Sequence, residues 1–153
     1  MILVDSSVWI DHLRAGEPTL VDLLNAGRAL AHPFVIGELA CDNLKNRKAV
    51  LSLLQDLPAV PVATDDEVLF FIERHGLMGR GIGYVDAHLL SAVSLAGTGR
   101  LWTRDKCLRA VAESMRLAFE TANEQRDSWH VARRTNREPR ATIQEPRSTH
   151  HEP

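Results

Sequence analysis

Four acidic side chains stand out because each one interrupts or closely follows an apolar part of the sequence. Asp5 directly follows "ILV", and Asp105 lies three residues after "RLW". Glu38 and Asp86 interrupt the apolar stretches "FVIGELA" and "YVDAHLL". Carboxylates a few ångströms apart repel one another, so a cluster of them either shares protons or binds hard cations. Because the set contains no His or Cys, its oxygen ligands suit Mg²⁺ or Mn²⁺ better than zinc.

A divalent cation held by such a cluster could act on a phosphodiester. Two ions about 3.5–4 Å apart would clamp the attacking and departing oxygens in line, and one ion could still supply a hydroxide. Taken one at a time, the four acids also have ordinary structural interpretations, as helix caps, first-turn acids or turn residues. The choice depends on whether the fold brings them together.

The elements that must position these acids are visible in the pattern of apolar residues. Helical periodicity is bounded by Pro33 at a helix start, by Thr64 and Glu67 at capping-box spacing, and by Gly76 and Gly97 at helix ends. Four apolar runs have the character of short strands: 1–4, 28–31, 59–63 and 100–103. Strands that alternate with helices predict βαβ units, and hence a parallel sheet with helices on both faces.

In a sheet of this kind, ligands bind beyond the carboxyl ends of the strands. Asp5 and Asp105 follow the first and fourth predicted strands, and Glu38 lies in the helix after the second. Asp86 begins a further helix, just after the "GRGIG" loop. We therefore expect the four carboxylates to converge on one rim of the sheet.

Four segments resemble, in order and spacing, the four blocks of PIN-domain ribonucleases, and most closely those of the VapC-type toxins. They are "ILVDSSVWIDHL", "FVIGELA", "GIGYVDAHLLSAVSLAG" and "LWTRDKCL", within Ile2 to Phe119. The resemblance implies a three-layer α/β/α sandwich with a parallel sheet of four or five strands. It also implies a Mg²⁺-dependent endoribonuclease for which Mn²⁺ can substitute.

Carried over residue by residue, the family's catalytic and metal-binding acids fall on Asp5, Glu38, Asp86 and Asp105. The accessory hydroxyls fall on Thr103 and on Ser6 or Ser7, and we assign Ser7. Cys107 departs from the family, since a basic residue often stands at its position. The resemblance gives no role to the sequence beyond about Ala122.

The resemblance further implies an RNA substrate, a homodimer and a small antitoxin that forms a hetero-oligomer with the toxin. Phe70 and Phe71 support the homodimer, because adjacent helical side chains point about 100° apart and cannot both face one core. We expect an Arg of the antitoxin to lie among Asp5, Glu38 and Asp86 and to replace the charge of the metal.

Several other residues have a functional and a structural interpretation. Basic side chains near the acidic blocks could contact RNA phosphates or be ordinary solvated charges: Arg14, Arg80, Arg104, Lys106 and Arg109. His88 follows Asp86 by two positions and faces another direction on a helix, so we predict a buried histidine rather than a general base. Trp9 and Trp102 are predicted to pack in the core or an interface.

Two other functions remain open at this stage. A phosphatase of the haloacid dehalogenase type also begins with a strand that ends in Asp, but it needs a second acid where Ser7 stands. A catalytically silent RNA-binding or regulatory module would keep the fold, but it has no need of four mutually repelling carboxylates.

Composition limits the remaining possibilities. The chain has 153 residues and a net charge of −2, so it lacks a broadly basic coat for nucleic acid. Its two cysteines lie 66 residues apart, which suits a reducing cytoplasm. No apolar run approaches the roughly 18 residues of a membrane span, and the N-terminus lacks the pattern of a secretory signal. We expect a nuclease domain over residues 1–122 and a polar, disordered tail over 123–153.

Overall fold

The computed structural model describes residues 1–127, and it contains the predicted alternation of strands and helices. Within these residues there are three strands: β1 (Ile2–Val4), β2 (Ala29–Leu30) and β3 (Arg100–Trp102). The helices of the same part of the chain are α1 (Ser6–Ala15), α2 (Pro18–Asn25), α3 (Pro33–Ala40), α4 (Arg47–Asp56), α5 (Asp65–His75), α6 (Tyr84–Ala96) and α7 (Lys106–Ser114). None of the described helices is both long and apolar enough to cross a membrane.

The three strands form a parallel sheet in the order β2-β1-β3, which confirms the predicted α/β class. In the register of β1 and β3, Leu3 pairs with Leu101 and Val4 pairs with Trp102. The predicted strand at 59–63 contributes only one parallel bridge, from Ala59 to Ala31. Val60 N donates to Ala31 O (3.0 Å), so residue 61 faces the outer edge, where Pro61 has no N–H to donate. The ladder stops here because the neighbouring segment enters α3 at Pro33. A second single bridge, between Leu101 and Ala118, adds a segment at the opposite edge.

The strand order also places the helices and the site. The chain passes from β1 to β2 on one side and then returns across β1 to β3. Since crossovers between parallel strands are right-handed, the two connections lie on opposite faces of the sheet. The chain leaves β1 toward one edge of the sheet and leaves β3 toward the opposite edge. Ligands bind in such sheets at the crevice between two strands of this kind, so the site is expected between β1 and β3.

The helix ends follow the local sequence signals. Thr64 Oγ1 accepts a hydrogen bond from Glu67 N (3.2 Å), and Glu67 Oε2 accepts one from Thr64 N (2.8 Å), which confirms the predicted capping box of α5. Gly76 ends this helix with φ of 59°, in the left-handed region that glycine adopts without strain. Pro33 is the first residue of α3, as predicted.

The core lies between the sheet and the helices. Trp9 and Trp102 are both buried, as predicted, and so is His88. Leu3 and Val4 of β1 have no exposed surface, which is expected for a central strand covered on both faces.

Met1–Glu120 form one compact unit, which ends two residues before the boundary predicted from the sequence, and Thr121 begins a second unit. Residues 122–127 are helical, and Thr121 Oγ1 accepts a hydrogen bond from Glu124 N (3.4 Å) at the start of this turn. The disordered tail over 123–153 stays a prediction. For residues 128–153 it lies outside the described part of the chain.

Candidate active site

Asp5 occupies the position where the central strand β1 ends, at the crevice beside β3. Its carboxylate is buried, and Oδ2 accepts hydrogen bonds from Ser7 Oγ (2.7 Å) and Thr103 Oγ1 (2.8 Å). Although Asp5 stands at the N-cap position of α1, its side chain accepts no capping hydrogen bond. The structural interpretation of Asp5 as a helix cap therefore does not explain why this carboxylate is buried.

The hydroxyls next to Asp5 connect it to the loop that carries Asp105. Thr103 Oγ1 accepts a hydrogen bond from Asp105 N (3.1 Å), and Ser7 Oγ accepts one from Arg104 N (3.0 Å). Asp105 itself caps α7, since its Oδ1 accepts a hydrogen bond from Leu108 N (2.8 Å). The residues after β1 and β3 thus form one hydrogen-bonded network around a single buried carboxylate.

Glu38 is an exposed residue of α3 that reaches toward the start of α1. Its Oε2 accepts a hydrogen bond from Ser6 Oγ at 2.5 Å. The two consecutive serines therefore serve different acids, Ser6 for Glu38 and Ser7 for Asp5. The sequence identified only Ser7 as the accessory hydroxyl, because no local signal shows which acid a serine will contact.

Asp86 lies half-buried in the first turn of α6, and its Oδ2 accepts a hydrogen bond from Gly83 N (3.1 Å). Burial raises the pKa of Asp86, and the hydrogen bond from Gly83 partly offsets this rise. The neighbouring negative charges raise the pKa further, and they belong to Asp5, Asp105 and Glu38. The four acids predicted from the sequence therefore lie near enough for their charges to interact.

The donor set of this rim suits a hard divalent cation, because it consists of carboxylate and hydroxyl oxygens. However, no group of three or more His, Cys, Asp or Glu side chains in residues 1–127 is arranged to hold a metal ion. Three of the carboxylates instead accept hydrogen bonds from Ser6, Gly83 and Leu108. A cation at this rim would therefore have to reorient these side chains.

The basic residues predicted to contact RNA have separate surroundings. Arg104 pairs with Glu17 (Nη2 to Oε2, 2.5 Å) and Asp11 (Nε to Oδ2, 3.4 Å), and its guanidinium lies 5.4 Å from the ring centroid of Trp102. Arg104 therefore links β3 to α1 and to the residue before α2. Its contacts give it a structural role whether or not it touches RNA.

The other basic side chains are more dispersed. Arg80 donates to Ser114 Oγ at the end of α7, and Arg109 pairs with Glu113 one turn away. Arg14 lies in the last turn of α1 and lines a groove of about 570 Å³ that Lys45 also lines. Lys106 is exposed at the start of α7. Their contact with RNA stays a prediction.

Comparison with known proteins agrees with this architecture. The family model for the PIN domain matches residues 2–114, a range that includes all four acids. The chain is 56% identical over 119 residues to "Ribonuclease VapC32" from Mycobacterium tuberculosis strain ATCC 25618 / H37Rv, and the match covers 78% of this chain and 96% of that protein. The protein of the same name from strain CDC 1551 / Oshkosh matches with the same identity and coverage.

Proposed function

The chain belongs to the PIN-domain family, and we propose that it is the toxin of a type II toxin–antitoxin pair that acts as a Mg²⁺-dependent endoribonuclease. One observation carries the chemical part of this proposal. Asp5 is a buried carboxylate at the end of the central strand, bonded by two hydroxyls, and its charge acts on Asp86 together with those of two further acids. The similarity to a protein named as a ribonuclease supports RNA as the substrate.

The residues that would hold the cation are Asp5 and Asp86, with Glu38 and Asp105 completing the site directly or through water. When bound, Mg²⁺ or Mn²⁺ would neutralise the charge that develops on the phosphodiester and activate a water molecule. A cation would also relieve the repulsion among the four carboxylates, which adds to burial, the larger cause, in raising the pKa of Asp86.

The protein's own part is to orient the carboxylates before substrate arrives. Ser7 and Thr103 both bond Oδ2 of Asp5, so Oδ1 is the oxygen that neither hydroxyl occupies. Ser6 fixes the direction of Glu38, which we assign to orienting the attacking water. Once the cation is bound, carboxylates held in this way would need little further reorganisation during the reaction, which is how such groups lower a barrier.

The test of this function is cleavage of single-stranded RNA in Mg²⁺ or Mn²⁺, with and without a chelator. We expect wild-type protein to cleave internal bonds, and chelation to stop cleavage. Asp5→Asn keeps an oxygen for Ser7 and Thr103 but removes the charge, and it should lower the rate by at least about 100-fold. Cleavage that survives both changes would reject the metal mechanism, whereas RNA binding without cleavage would indicate the silent module.

We also infer that the protein is a homodimer through α5. Phe71 packs against the core, whereas Phe70 is 66% exposed at the middle of the helix. The first turn of α5 is acidic and its last turn carries Arg74 and His75. Two α5 helices packed antiparallel about Phe70 would place each acidic end against the partner's basic end. A groove of about 480 Å³ between α5 and α6 offers space for the partner's side chains.

The remaining partner is the antitoxin, which we propose inhibits by inserting an Arg among Asp5, Glu38 and Asp86. A guanidinium matches the planar geometry of carboxylates and would take the place of the metal's charge. Inhibition should then compete with Mg²⁺ and weaken as salt rises. Changing that Arg to Ala should restore cleavage more than it weakens the complex. Unchanged Mg²⁺ affinity in the complex would exclude this mechanism.

A further inference from the structure

Two aromatic side chains near the acidic rim are only partly buried, although they pack on a fully enclosed residue. Phe34 and Tyr84 are 36% and 44% exposed, and each ring centroid lies 4.6 Å from that of His88. Neither residue is among the apolar side chains that pack against the core. We call these two residues the aromatic ledge.

The aromatic ledge lies at the carboxyl edge of the sheet, on the β2 side of Asp5. Phe34 is the second residue of α3, which begins two residues after Ala31, the residue that bridges to Ala59 beyond the end of β2. It stands four residues before Glu38, so both side chains project from the same face of that helix. Tyr84 is the first residue of α6 and lies on the same helix face as His88, four residues later. It is in the same first turn as Asp86 but projects in another direction.

Hydrogen bonds hold the ledge in place. Tyr84 donates its hydroxyl to Asp65 Oδ1 (2.7 Å) at the start of α5. Phe34 donates its backbone N–H to His32 Nδ1 (3.0 Å), and His32 is itself buried. Both exposed rings meet the His88 ring edge to face, at interplanar angles of 66° and 84°. A ligand that stacks here would therefore pay little entropy for ordering these side chains.

We propose that the aromatic ledge stacks an unpaired base of the RNA beside the bond that is cleaved. The inference rests on the proposed function, since it requires that the rim receives RNA. Unstacked bases are commonly recognised by aromatic side chains, and this contact needs no positive charge. The chain has a net charge of −2, and Arg104 pairs with two carboxylates, so uncharged stacking would add affinity that these charges do not supply.

The test uses a short single-stranded RNA with one 2-aminopurine, whose fluorescence falls when the base stacks. It is titrated with full-length protein in EDTA, which prevents cleavage. We expect quenching with wild-type protein, and on the order of tenfold weaker binding with less quenching for Tyr84→Ala. Tyr84→Phe keeps the ring and should behave as wild type.

A second pair of variants separates stacking from apolar packing and from instability. Phe34→Leu keeps an apolar side chain of similar volume but removes the ring, so it should lose quenching if a base stacks there. Leu53→Ala changes a residue of α4 that is 45% exposed, and it should leave the titration unchanged. Thermal unfolding of each variant shows whether the fold is retained.

The outcomes distinguish this inference from the proposed function. Quenching that is unchanged in both Tyr84→Ala and Phe34→Leu would overturn the proposal that the aromatic ledge stacks a base, even if wild-type protein cleaves RNA. The same result is expected if the ledge binds a partner protein instead of RNA. Quenching that is lost in both variants would support the ledge even if no RNA is cleaved in Mg²⁺.

Discussion

Thr103 Oγ1 lies 2.8 Å from Asp5 Oδ2, although 98 positions of sequence separate the two residues. The contact follows from the register of the central strands, since Val4 pairs with Trp102 and the next residue of each strand leaves the sheet beside the other. The backbone N–H of Asp5 donates to Trp102 O (2.9 Å) and continues the ladder to this point. The geometry of the rim is thus an extension of the sheet.

Thr103→Val should lower kcat for RNA cleavage by roughly tenfold with little change in KM, because a hydrogen bond to a charged group is worth about 1.5–3 kcal/mol. Valine keeps the shape but loses the hydroxyl that bonds both Asp5 and the backbone of Asp105. Thr98→Val, at an exposed position, is the matched control. Equal kcat in both variants would show that the hydroxyl does not position Asp5.

Asp86→Asn should stabilise the protein near neutral pH while abolishing cleavage. The folded-state pKa of Asp86 is raised, so its ionisation opposes folding as pH rises through that pKa. The stability gain should therefore be larger at pH 7 than at acidic pH, where wild-type Asp86 is already protonated. Thermal unfolding at both pH values measures it, with the exposed Asp22→Asn as control. A gain that does not vary with pH would contradict the assigned cause.

His32→Asn should make stability less sensitive to acid. Burial and the neighbouring His88 lower the pKa of His32 to about 4, so the unfolded chain binds a proton more readily than the folded one between pH 6.5 and 4. Wild-type protein should lose stability as pH falls through this window, by on the order of 3 kcal/mol. Asn can still cap α3 by accepting from Phe34 N, without titrating. The free energy of unfolding, measured with urea at several pH values, should fall more steeply with acid in the wild type than in His32→Asn. The same pH dependence in both proteins would refute the prediction.

Phe70→Glu should convert the proposed dimer to a monomer. It places a charge at the centre of the antiparallel α5 contact, where it would be buried without a partner. Sedimentation should show twice the 17.1 kDa of one chain for wild type and a single chain for the variant. Met78→Glu, at a loop residue that is 57% exposed, should remain dimeric. A wild type that is monomeric at micromolar concentration would end the proposal.

The parts of the fold that were predictable from sequence depend on local signals. The capping box of Thr64 and Glu67, the start of α3 at Pro33 and the glycine at the end of α5 are properties of a few adjacent residues. The acidic rim was predictable because the ends of parallel strands meet at one edge, whatever the side chains between them.

The parts that were not predictable depend on distant residues. The bridge from Leu101 to Ala118 exists only because the end of the domain returns beside β3. Ser6 bonds Glu38 whereas Ser7 bonds Asp5, and this difference depends on where α3 places Glu38, 32 residues from Ser6. The pairing of Arg104 with Glu17 likewise spans 87 positions, and local sequence gives no sign of it.

The register between β1 and β3 also decides where a residue can be inserted into the chain without loss of function. Side chains alternate between the two faces of a strand, so one residue inserted within Arg100–Trp102 would turn every later side chain of that strand over. Thr103 would then point away from Asp5. An insertion in the exposed turn around Asn43, between α3 and α4, shifts no strand pair. Function should therefore survive added residues in that turn and be lost with a single one in β3.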